Sequence, residues 1–76
     1  MDWHDRIAID AGVLGGKPVV RGTRITVELI VDLLGQAWTL EQLVEEYPGV
    51  TPDDVRACLR YASEILRSEN VYALEA

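Results

Sequence analysis

A chain of 76 residues that is 49% hydrophobic and 26% charged has room for one small folded domain, and its composition excludes a disordered or fibrous protein. Its single cysteine cannot close a disulfide, and one cysteine with one histidine cannot complete a zinc site. A formal net charge of -6 argues against indiscriminate nucleic-acid binding, and the longest apolar run is too short to span a bilayer.

From the N-terminus, Arg6-Ile7-Ala8-Ile9-Asp10 alternates in the manner of a half-buried strand, with Ile7 and Ile9 on one side. Gly12, Gly15 and Gly16 punctuate a loop, and Pro18-Val19-Val20 is a second β-branched segment that its proline confines to an edge or a strand start. A small hairpin or arm over residues 1–25 follows. Residues 1–15 carry two acids before any base, unlike a secretory leader, so the expected compartment is cytoplasmic.

Thr26 is placed to cap a first helix over about residues 26–35, with Val27, Ile30, Val31 and Leu34 in one stripe, Leu29 and Leu33 widening it, and Gly35 as its left-handed stop. Only Glu28 and Asp32 give this helix a wet edge. It has more apolar circumference than a three-helix core covers, which predicts a homodimer. Thr39-Leu40-Glu41-Gln42 reads as a capping box opening a second helix, about 39–47, that turns Leu40, Leu43, Val44 and Tyr47 inward. Pro48-Gly49 ends it, the glycine accepting positive φ. Thr51-Pro52-Asp53-Asp54 starts a third helix, about 51–68, whose inward repeat is Val55, Leu59, Ala62 and Leu66. The remaining NVYALEA is too short to assign.

The fold class is therefore mostly α: a single domain over 1–76, built as a tri-helical helix-turn-helix bundle behind a short N-terminal β-hairpin or arm. GVLGGKP is not a phosphate-binding loop, because only three residues separate Gly12 from Gly16 and Pro18 supplies neither a hydroxyl nor an amide. Nothing convergent suggests a catalytic centre or a cofactor: His4 is near a terminus, and Cys58 lies on an apolar helix flank as an ordinary buried thiol. The expectation is a non-enzyme with no cofactor and no metal.

Charge is sorted along the chain. From Ala11 to Val27 there are three bases, Lys17, Arg21 and Arg24, and no acid; from Ile25 to Val55 there are seven acids and no base. The bases are candidates for contacting DNA, with Arg56 and Arg60 adding a stripe on the third helix that Arg67 extends. Against this, Arg24 could instead bridge to Asp32 or Glu28, and Arg21 could cap the carbonyl end of a helix. Arg60 also has Glu64 beside it. Base reading in the major groove by the third helix is disfavoured, since Asp53 and Asp54 in its first turn would meet phosphates of like sign. The acids Glu41, Glu45, Glu46, Asp53 and Asp54 are candidates for docking a basic partner protein.

The run GGKPVVRGTRITVELIVDLLGQAWTLEQLVEEYPGVTPDDVRACLRYA resembles the family catalogued as domain of unknown function 433, over roughly residues 5 to 65. The matching positions are Gly16, Lys17, Pro18, Arg21, Gly22, Thr23 and Arg24, then Tyr47, Pro48 and Thr51 to Val55. This resemblance implies a homeodomain-like protein of the VapB-like antitoxin kind, whose relatives are often encoded beside a PIN-like ribonuclease toxin that they are thought to bind. The expected function is an antitoxin-like dimer that binds a PIN-like toxin, with operator DNA as a second candidate partner; the alternative is a homodimeric protein-interaction module with no nucleic-acid contact. Antitoxins of this general kind often occupy the toxin with an extended C-terminal segment, and here only 70–76 is available for that.

Overall fold

A computed structural model describes residues 2–68. The chain order is a 3-10 turn at Trp3–Asp5, strand β1 (Ile7–Ala8), a second 3-10 turn at Leu14–Gly16, strand β2 (Val19–Val20), and helices α1 (Val27–Gly35), α2 (Leu40–Glu46) and α3 (Pro52–Ser68). β1 and β2 form an antiparallel hairpin in the register Ile7 with Val20 and Ala8 with Val19. It is a small helical bundle with an N-terminal hairpin, as the sequence predicts. The tail 69–76 lies outside the described residues. None of the described helices is long and apolar enough to cross a membrane.

The hairpin stops a residue early, and the register explains it. Ile9 would pair with Pro18, which has no amide to donate. The chain instead turns at Asp10, whose carboxylate accepts the Gly12 amide at 2.8 Å, and Ile9 is left 58% exposed.

Each helix begins as its capping residues dictate. Thr26 Oγ1 accepts the Leu29 amide, and Thr39 and Gln42 complete a reciprocal capping box. At α3 the Asp54 amide donates to Thr51 Oγ1, while Asp54 Oδ2 accepts the Thr51 amide, making a second reciprocal box. The ends differ from expectation. α1 closes in a Schellman motif, with the Trp38 amide donating to the Leu33 carbonyl and the Ala37 amide to that of Leu34. The left-handed residue there is Ala37 (φ 72°), not Gly35, which is simply the last helical residue. Gly49 likewise lacks positive φ; a Cβ on it would meet Thr23 Cγ2 at 3.3 Å, so the α2–α3 turn and the arm approach closely here and a larger residue would push Thr23 aside by a few tenths of an ångström.

The core joins all the elements: Ile7 and Val20 from the hairpin, Val27, Ile30 and Leu33 from α1, Leu43 from α2, Val50 from the turn, and Val55, Ala57 and Cys58 from α3. Ile30, Leu43, Ala57 and Cys58 have no exposed surface. α3 lies at the centre, packed against α1, α2, β1 and the first 3-10 turn. Of the expected inward repeat Val55 is buried and Ala62 half-buried, while Leu59 and Leu66 lie on the helix shoulder, 46% and 62% exposed, and Ala57 and Cys58 complete the inward side.

Candidate functional site

Geometry divides the arm's bases sharply. Arg21 is anchored inside its own molecule: Nε donates to the Asp5 carbonyl at 3.1 Å, and Nη2 donates to the carbonyls of His4 at 3.1 Å and Ile7 at 3.2 Å. It therefore caps the carbonyl end of the first 3-10 turn, the internal alternative to an external anion contact. Lys17 Nζ pairs with Glu28 Oε1 at 3.2 Å, both side chains remaining exposed. Arg24 is exposed beside Thr26, Glu28 and Asp32 yet makes no ion pair among the described residues.

The acids divide in the same way. Asp54 is 7% exposed and accepts from Arg6 Nη1 at 3.2 Å as well as from the Thr51 amide, so it belongs to the helix start and offers a partner nothing. This corrects its assignment to a docking set. Asp53 pairs with Arg56 Nη1 at 2.7 Å and lies 3.6 Å from Arg6 Nη2. The first turn of α3 is thus neutralised by Arg6, a residue that local pattern places only in a strand. Glu41, Glu45 and Glu46 are all exposed on α2, and none makes an ion pair among the described residues. Glu45 and Glu46 border a shallow depression with Trp38 and Gln42.

α3 carries a third surface, a shallow concavity lined by Arg56, Leu59, Arg60 and Ser63. Arg56 is spent partly on Asp53; Arg60 makes no ion pair among the described residues, and Arg67 donates at 3.4 Å to Ser63 Oγ. Glu64 forms no salt bridge with Arg60; its Oε2 accepts the indole Nε1–H of Trp3 at 2.7 Å. Trp3 also meets Tyr61 edge-on and stacks on His4. This contact fastens the N-terminus to α3 across 61 positions of sequence, and no local pattern could have revealed it.

Cys58 is buried and unpaired, and burial followed by the negative charge of Asp54 pushes its thiol up to about 12. Such a thiol is a packing group and not a nucleophile. Among the described residues no three metal-ligating side chains converge.

The profile of the family described as "Protein of unknown function (DUF433)" matches residues 7–62. The uncharacterized protein y4eO of Sinorhizobium fredii is 34% identical over 50 residues, an alignment covering 66% of this chain and 23% of that protein. The crystal structure of a DUF433 member protein from Anabaena variabilis superposes with a TM-score of 0.77 at 33% identity, covering 83% of this chain and 62% of the other. This chain therefore spans about a quarter of the Sinorhizobium protein and about three fifths of the Anabaena one. The arm that carries Arg21, the capped start of α3 and the three-helix core that joins them all fall within the matched segment, and the chain belongs to the DUF433 family.

Proposed function

We propose that this chain is an antitoxin-like docking domain that binds a basic partner protein, a PIN-like ribonuclease, through the acidic face of α2. One observation carries the reading: Glu41, Glu45 and Glu46 stand exposed on one short helix with no ion pair among the described residues. A ribonuclease is positively charged where its substrate lies, and a carboxylate row opposite that surface steers encounter and excludes wrong partners. The family resemblance supplies the partner's class, and the half-buried Trp38, which borders the same depression as Glu45 and Glu46, supplies an apolar contact beside the charges.

Operator DNA receives less support. Of the bases proposed to meet it, Lys17, Arg21 and Arg56 are engaged within the chain, leaving Arg24 and Arg60 with no ion pair among the described residues. The alternative of a protein-interaction module without nucleic-acid contact fits that placement.

The test uses the PIN-like ribonuclease encoded nearest the chain's own gene, with association kinetics and RNase activity measured at low and high salt. Neutralising α2 with Glu41→Gln, Glu45→Gln and Glu46→Gln together should slow association at least ~10-fold at low salt and flatten its salt dependence. Absence of binding and inhibition by the unaltered chain at micromolar concentration would overturn the reading, as would a triple variant that associates at the original rate. Fluorescence anisotropy with a mixed-sequence DNA duplex should show no salt-sensitive binding at ~0.15 M salt.

A further inference from the structure

We infer that the face formed by α1 and α3 pairs with the same face of a second copy, about a two-fold axis running parallel to α3. This surface is separate from the acidic face of α2 and does not depend on the docking role.

The face is a groove of about 480 Å³, floored by Val27, Val31, Tyr61 and Ala62 and overhung by Ile65 and Leu66. Ile65 is 42% and Leu66 62% exposed, and with Leu59 they make up three of the five large hydrophobic side chains left exposed among the described residues. At ~100° per residue, Ile65, Ala62, Leu66 and Leu59 occupy an arc of ~120° on α3, so the apolar surface is one continuous strip. It has protruding leucine and isoleucine and a recess beside them, the two halves that an isologous pairing requires on a single patch.

Charge selects the occupant and the axis. On its α1 edge the groove is lined by acids, Glu28 and Asp32, with Arg24 beside both but outside the groove lining; Asp32 makes no ion pair among the described residues, bonding only the Gln36 amide group at 2.8 Å. Lys17 offsets Glu28 on that edge. The α3 edge, past Leu59, is basic, with Arg56, Arg60 and Arg67 spread over ~40° of the helix surface. A two-fold axis parallel to the groove sets the acidic edge of each copy against the basic edge of the other. An axis across the groove would set acid on acid and base on base, which is repulsive. α3 runs ~25 Å along the face and α1 only ~14 Å beside it, which puts the contact at the small end of stable interfaces, so association is best read over a wide concentration range.

Sedimentation velocity of the full chain from ~5 to ~500 µM should show concentration-dependent growth from 8.5 kDa to twice that mass. Leu66→Glu, at a position already mostly exposed, should weaken self-association at least ~10-fold while leaving the circular dichroism spectrum unchanged. Asp32→Arg and Arg67→Asp should each weaken it, and the two together in one chain should restore it, since every copy then carries the swapped pair. The α2 triple glutamine variant should associate as the unaltered chain does, which separates this result from the fate of the docking reading. A mass of 8.5 kDa throughout would overturn the inference, as would a dimer indifferent to Leu66→Glu or a charge swap that restores nothing.

Discussion

Arg21 shows how much a single side chain's environment changes its meaning. In sequence it is a cation with no acid near it; in the fold its planar fork spans three carbonyl oxygens. Arg21→Ala should therefore lower stability by about 1 kcal/mol in urea denaturation, and Arg21→Lys should recover little, because a single ammonium nitrogen cannot stand at both the Nε and the Nη2 positions. Arg24→Ala, at an exposed side chain with no ion pair among the described residues, should change stability by less than ~0.5 kcal/mol. Cys58 makes a pH-dependent case. Its folded pKa of about 12 exceeds its ordinary value of 9.0, so above pH 9 the unfolded chain loses a proton that the folded chain keeps. Its contribution is fully present below that pH and fades as pH rises toward 12. Iodoacetamide at pH 8 should alkylate native Cys58 far more slowly than the urea-unfolded chain.

At the scale of elements, the ends of α1 and the start of α3 show where local chemistry is strained or reinforced. Gly35 holds a helical position with nothing within 4 Å of an added Cβ, whereas Ala37 holds a left-handed one. Gly35→Ala and Ala37→Gly should each raise stability by about 0.5–1 kcal/mol, read as a shift in the denaturation midpoint at constant slope. At α3, Asp54 closes the capping box and is held by Arg6 from the hairpin, so the arm and the helix start stabilise each other. Arg6→Met leaves a nearly buried carboxylate with one amide donor; with Arg6 itself about a third exposed, the loss should be about 1–2 kcal/mol. The helix starts were legible because a cap is a short-range hydrogen bond between residues three apart. The stops were less so, since a Schellman motif needs a left-handed residue and sequence favours glycine there, whereas this chain uses alanine.

Across the whole molecule, a domain this small has one core and little reserve. Leu43 and Ile30 are fully buried on different helices, and Leu43→Ala or Ile30→Ala should cost about 2–5 kcal/mol, enough to leave much of the chain unfolded at 25 °C. Circular dichroism of the purified variants measures that loss. The sequence by itself determined the three helices, the caps that begin them, the hairpin and the family, because each depends on periodicity or on neighbours within a few positions. Only the tertiary structure decided which charges are available. Arg21 turned to backbone carbonyls, Asp54 went inside beneath Arg6, and Glu64 was claimed by Trp3, all through contacts between distant segments. It also decided that Leu59 and Leu66 face outward: a helical period specifies a stripe, but where neighbouring helices fall on that stripe depends on how the chain packs.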